Sequence, residues 1–181
     1  YGSPSVFPFG GSNAQPDHSE LNIEYFKRLD RVIDYLDQKG IVAHLMIYVW
    51  NKRVNWPDAD SEADNRYFDY VVRRYQAFPN LVWDISKEAL GYGRTDVHYI
   101  SERIERLHNA MTQLAIGLST LHEAGMLHSD IKPSNVLITT EGRLVLLDFG
   151  LAVRIDRGDG TPKFIQGTPR YMSPEQARAK P

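Results

Sequence analysis

The apolar positions of the first hundred residues change period several times. Phe26, Leu29, Ile33 and Leu36 recur at helical spacing with Arg28, Asp30 and Arg31 between them. That spacing predicts an amphipathic helix from Leu21 to Gln38, with Gly40 as its stop. IVAHLMIYVW, Ile41 to Trp50, is apolar without alternation, the pattern of a strand covered on both faces. A polar loop from Asn51 to Asp60 leads to a second helix in which Tyr67, Phe68, Val71, Val72 and Tyr75 share a face. After the turn FPN comes a short strand, LVWDIS. Helix, strand, helix and strand with short connections predict a parallel α/β architecture, in which chemistry gathers where strands end. Ahead of all this, Tyr1 to His18 is rich in Gly, Ser, Pro and Asn and predicts an irregular loop.

The second half begins with Ile100, Ile104, Leu107, Met111, Leu114, Leu118 and Leu121, at gaps of four and three. One long core-facing helix from Val97 to Glu123 accounts for them, in preference to a coiled-coil seam, because the pattern stops at Gly125. VLITTEGRLVLLDFG predicts two short strands around a Glu-Gly turn. From Arg154 to Pro181 the pattern is loop-like.

Charge and composition narrow the functions available. The 181 residues carry 21 basic and 23 acidic side chains, well mixed, for a net charge of -2. No basic patch argues for nucleic acid or an anionic membrane as a partner. With no Cys, disulfides, thiolate metal sites and thiol nucleophiles are excluded, and the compartment stays open. The longest apolar run is about half of the roughly 20 residues that a membrane-spanning helix needs. The chain starts at Tyr1 without a signal segment and stops at Pro181, which reads as a cut at both ends.

Chemistry concentrates after the long helix. His128-Ser129-Asp130 is followed by Asn135, then by Asp148-Phe149-Gly150, and then by Ser173-Pro174-Glu175. In that order they resemble the H-R-D-x-x-x-x-N, D-F-G and A-P-E motifs of the C-terminal lobe of a eukaryotic-type serine/threonine protein kinase. The resemblance implies that Asp130 orients a substrate hydroxyl and accepts its proton. It implies that Lys132 offsets charge on the transferring phosphoryl group, and that Asn135 and Asp148 hold Mg²⁺ beside ATP. Thr168, in GTPRYMSPE, is expected near Asp130. Thr161, ahead of Pro162, is a candidate phosphate acceptor in the activation loop, against which stands an ordinary loop hydroxyl. Ser129 replaces the family's usual Arg, so the resemblance does not carry switching by a phosphate on Thr161. Residues 1 to 106 hold no convincing Gly-rich loop, GYGRTD at Gly91 being the nearest approach, and no V-A-I-K analogue.

LVWDISKEALGYG, Leu81 to Gly93, resembles the fourth-strand region of a (β/α)₈-barrel glycoside hydrolase, with Glu88 at the acid/base position and Lys87 in place of the usual Asn. Such an enzyme needs a second carboxyl group facing the same bond, and the resembled family takes it from a later strand than this chain contains. The competing reading of Glu88 is a carboxylate in a helix's first turn. Trp50, Trp56 and Tyr92 either stack on sugar rings or pack a barrel rim. His44, within the apolar strand, reads as a hydrogen-bonded core histidine rather than a ligand.

The two resemblances meet near Leu107, within the long helix. The expected fold is an α/β N-terminal part, a partial β/α barrel over 1–106, joined by that helix to an α+β partial kinase C-lobe over 107–181. Three functions follow: a serine/threonine kinase using ATP and Mg²⁺ on a protein substrate, a carbohydrate hydrolase working through Glu88, or a catalytically silent chimera of two incomplete domains. Silence is the expectation for the isolated chain, and a cytoplasmic location if the kinase half governs.

Overall fold

Local signals set the helix boundaries. In the computed structural model, which describes residues 6–50, 53–87, 89–92, 95–139, 143–154 and 166–178, the chain divides into two units. The first comprises 1–71 and 80–106, the second 72–79 and 107–181.

The first unit opens with an antiparallel hairpin, β1 (Phe9–Ser12) and β2 (Gln15–Leu21). The predicted irregular loop is therefore a paired ribbon over much of its length. Its Gly residues serve the pairing: Gly11 sits at φ +68, with the Gln15 carbonyl where a Cβ would project. Helix α1 (Ile23–Gln38) starts because the Asn22 side chain accepts from the Glu24 and Tyr25 amides, at 3.1 and 3.3 Å. It ends in a Schellman turn. Gly40, at φ +67, donates to Asp37 O at 2.8 Å, and Ile41 donates to Leu36 O at 2.9 Å.

Strand β3 (Ala43–Val49) pairs in parallel with β4 (Leu81–Lys87), Ala43 opposite Leu81 and Val49 opposite Lys87. Helix α2 (Glu62–Tyr75) connects them, so the predicted parallel β-α-β unit is present. Among the described residues this is a single parallel pair, and no barrel forms around it. The sheet is also less covered than its composition implies. Leu45, Ile47 and Tyr48 are buried, but Ile41, Val42 and Val82 are exposed. His44 is exposed too and meets Asp84 Oδ2 at 3.0 Å, so it is hydrogen-bonded as expected but is not a core residue. Alternate residues of a strand face opposite ways, so with Ile47 and its neighbour Tyr48 both buried the sheet is covered on both faces there, while the Tyr48 face opens to solvent at His44 and Val82.

The face that carries Tyr48 is aromatic. Tyr48 stacks on Trp50 at 4.9 Å, and Trp56 and Tyr67 lie edge-on or tilted beside them. Trp50 and Trp56 are buried, so neither offers an open ring to a sugar. Beneath them sits a buried polar cluster. Ser61 caps α2, which brings Asp64 into its first turn with no exposure to solvent. The Asp64 carboxylate accepts from the Tyr48 hydroxyl at 2.6 Å, the Tyr99 hydroxyl at 3.0 Å, the Asp60 amide at 3.0 Å and Arg103 Nη2 at 2.6 Å. Burial, with the Asp64 charge adding to it, pushes the Tyr48 phenol well up and the Tyr99 phenol to about 12, so both stay protonated donors. Donors from three segments make a buried carboxylate tolerable.

Helix α3 (Val97–Glu123) is the single long helix its heptad-like spacing predicts, with Asp96 accepting from the Tyr99 amide at its start. It begins in the first unit and ends in the second, where Gly125 at φ +69 closes it. In the second unit, β6 (Val136–Ile138) and β7 (Leu144–Leu146) form the predicted antiparallel hairpin. Their turn, 140–142, lies outside the described residues. Gln113 of α3 accepts from the Leu144 amide at 2.8 Å, and Gly117 meets Leu146 at ordinary contact distance. Before the hairpin runs β5 (Met126–Leu127), which pairs with β8 (Val153–Arg154) beyond it. The stretch after Arg154 is not wholly irregular, since a 3₁₀ turn at Pro169–Tyr171 and the short α4 (Pro174–Ala177) occur in it. Tyr171 packs edge-on against Phe78 at 5.8 Å.

Candidate active site

The two short ribbons of the second unit hold a loop between them. β5 delivers His128, whose ring is buried and meets Leu147 O at 2.9 Å through Nε2. The Leu147 amide in turn donates to Asn135 O at 2.8 Å. The loop from His128 to Asn135 is thereby tied at both ends to the segment leading into Asp148. Ser129 takes a left-handed conformation, φ 64, and turns the next side chain inward.

That side chain is Asp130, which is 5% exposed. Its Oδ1 accepts from the Thr168 hydroxyl at 2.6 Å and the Thr168 amide at 2.8 Å. Its Oδ2 accepts from Lys132 Nζ at 2.6 Å and Asn135 Nδ2 at 3.1 Å. A carboxylate has about four lone-pair sites, and four donors occupy them here. Lys132 also donates to the Thr168 hydroxyl at 3.0 Å, closing a ring of three side chains. Burial opposes the charge on Asp130, but the Lys132 and Thr168 hydrogen bonds outweigh it and hold the carboxyl down at about 2.

Asn135 has a second task. Its Nδ2 donates to Asp130 O at 2.9 Å, and because a carbonyl only accepts, this contact fixes which way the amide faces. Its Oδ1 then points away from Asp130, with the Ser134 hydroxyl 3.4 Å off. Asp148 is exposed, sits at φ 61 and accepts from the Gly150 amide at 3.3 Å. One amide oxygen and one carboxylate are the hard donors that Mg²⁺ takes from a protein when substrate phosphates and water complete its shell. The donor set fits that ion. Phe149, between Asp148 and Gly150, rests its ring 5.0 Å from the His128 ring.

Asp130, Lys132, Asn135 and Thr168 are thus brought together, as the kinase resemblance implies for Thr168 and Asp130, with Lys132 turned onto Asp130. Glu88 and Thr161 lie outside the described residues, and nothing is placed around them. The sequence reading did not single out Gly167 and Gln176, which line the far side of the loop. Gly167 takes φ +122, and a Cβ there would stand 2.5 Å from Ser129 O. Ser173 followed three residues later by Gln176 is a capping-box spacing, the signal that could have drawn attention to Gln176.

A loop with a buried Asp, a Lys two residues on and an Asn five residues on has the residue order of a protein kinase catalytic loop. Residues 80–181, more than half of the chain, match the protein kinase domain model, and the chain belongs to that family. The match includes Leu81 to Gly93, the stretch that carries the likeness to barrel hydrolases, and that likeness gains support neither from the fold nor from the relatives found. Serine/threonine-protein kinase PEPKR2 of Arabidopsis thaliana is 42% identical over 71 residues, 39% of this chain and 15% of its own length. The probable serine/threonine-protein kinase PknB of Corynebacterium glutamicum is 40% identical over 78 residues, 40% of this chain and 12% of its own. Serine/threonine-protein kinase Nek2 of Mus musculus is 37% identical over 112 residues, 59% of this chain and 24% of its own. The chain therefore spans about a quarter or less of these relatives.

Proposed function

We propose that the chain supplies the substrate-facing part of a serine/threonine protein kinase site, with Asp130 orienting the acceptor hydroxyl of a protein substrate. The observation that supports this most strongly is the buried Asp130 carboxylate, held by Lys132, Thr168 and Asn135. A carboxyl held near 2 is a weak base at neutral pH. Its role is then mainly to receive and aim the hydroxyl hydrogen, which suits a loose transition state that asks little of a base. Because four donors fill its lone pairs, a hydroxyl gains access only when one donor leaves. Lys132 is the one with an alternative anion to serve, the phosphoryl group itself.

Asn135 and Asp148 would hold Mg²⁺, which neutralises phosphate charge when bound. The grip on the rest of ATP would come from outside these 181 residues, which contain neither a G-x-G-x-x-G run nor a V-A-I-K analogue. The isolated chain is accordingly expected to be silent. The reading is tested on the longest natural chain containing these residues, with labelled ATP, Mg²⁺ and casein. Label should appear on Ser or Thr, and Asp130→Ala should reduce it by at least about a hundredfold, the lower range of acid–base contributions. Label transferred equally well by Asp130→Ala, or placed on Tyr, refutes it.

A further inference from the structure

We propose that Gln176 is a positioning residue, a neutral strap whose side-chain amide ties the Gln166–Thr168 stretch to the catalytic loop and so holds Thr168 on Asp130. Gln176 Nε2 donates to Ser129 O and, at 2.9 Å, to Gln166 O. Its Oε1 accepts from the Ser173 amide at 3.4 Å, and its own amide donates to the Ser173 hydroxyl at 3.1 Å. Both amide hydrogens and the amide oxygen are therefore in use. The orientation is not arbitrary, since two carbonyls can only accept and must face nitrogen.

The two carbonyls it joins belong to the residues flanking the chemistry. Ser129 precedes Asp130, and Gln166 lies two residues before Thr168. Between them the chain passes so close to the loop that residue 167 has to be Gly, with Ser129 O at 2.5 Å and Gln176 Nε2 at 3.0 Å from where a Cβ would stand. The close pass is what lets the Thr168 amide reach Asp130 Oδ1 at 2.8 Å. Two carbonyl oxygens facing one another across this gap would repel unless a donor sat between them. Gln176 supplies that donor twice and carries no net charge.

A plain structural role is the alternative, because Ser173 and Gln176 also form a capping box at the start of α4. Gln176→Glu separates the two. A Glu at this position makes an equally good capping box but has no hydrogens for Ser129 O and Gln166 O. Gln176→Met, uncharged and of similar length, removes the strap without introducing repulsion and serves if the Glu variant does not fold. The readout is hydrogen exchange at the Thr168 amide in the 181-residue chain, with the Leu147 and Asn135 amides as internal references. The strap predicts exchange at Thr168 at least about tenfold faster in both variants, the references unchanged, tenfold corresponding to about 1.4 kcal/mol of opening free energy. Unaltered protection of Thr168 in either folded variant overturns the proposal, as does a Thr168 amide that is unprotected in the parent chain. The significance of the strap for transfer rests on the kinase reading, but this measurement does not. Loss of that reading through an active Asp130→Ala would leave the exchange result standing.

Discussion

At neutral pH the Asp130 carboxylate is ionised inside the protein, and acid is the simplest way to remove its charge. Its side chain is only 4% exposed, so screening by solvent discounts its interactions little. Burial raises its pKa, while the Lys132 ammonium at 2.6 Å and the Thr168 hydroxyl and amide lower it further than burial raises it. The outcome is a fall from the ordinary 3.8 to about 2. At 1.36 kcal/mol per pKa unit, that gap contributes about 2 kcal/mol to stability. The sign follows from the direction. A carboxyl depressed in the folded state stabilises fully above its unfolded value, and the contribution drains away as the pH falls from about 4 to about 2. Carboxyl ¹³C shifts, with Asp130→Asn to assign the resonance, should show a midpoint near 2. The advantage in unfolding free energy of the parent chain over Asp130→Asn should shrink by about 2 kcal/mol across the same range. Lys132→Met should move the midpoint up, and Thr168→Val should move it up by less. A midpoint at or above 3.8, or one indifferent to Lys132→Met, refutes the account of what holds this carboxylate.

Arg103→Met removes the cation from the wholly buried Asp64, and breaking a buried pair from one side costs about 3–5 kcal/mol. Urea unfolding followed by the fluorescence of Trp50, Trp56 and Trp83, which belong to the same unit, should show that loss, and a change under about 1 kcal/mol contradicts it. Gly167→Ala forces a Cβ against Ser129 O at φ +122, a strain of about 1–3 kcal/mol, and should raise amide exchange in β6 and β7 accordingly. Asn22→Ala leaves the first amides of α1 without their acceptor and should lower stability by about 1 kcal/mol in the same urea assay, with no effect on exchange at Thr168.

How far the fold could be read from the chain depends on how local each determinant is. Helix α1 was legible to within two residues because its cap, its stripe and its Schellman glycine lie within one continuous segment. The β-α-β unit was legible because helical and strand periods alternate there. The first hairpin was missed, since Gly, Ser, Pro and Asn describe a loop and a Gly-containing ribbon equally well, and pairing decides between them. His44 was placed in the core because an unbroken apolar run implies two covered faces. Both faces are covered around Ile47 and Tyr48, but at the start of β3 the face that carries His44 and its partner Val82 is open to solvent.

The site divides along the same line. The loop of Asp130, Lys132 and Asn135 could be recognised because the three lie in one short stretch that resembles a kinase motif, and the resemblance carries their proposed roles. Asp64 and Arg103, 39 residues apart, share no such stretch, and either alone reads as a solvated helix charge. Gln176 is the instructive intermediate. Its bond to Ser173 obeys a local rule and was readable, whereas its bond to Ser129 spans 47 residues and exists only because Gly167 lets the chain pass under it. A residue whose local duty is already satisfied gives a sequence reader no reason to look for a second one. The spare hydrogens of its amide are therefore where a positioning role can go unnoticed.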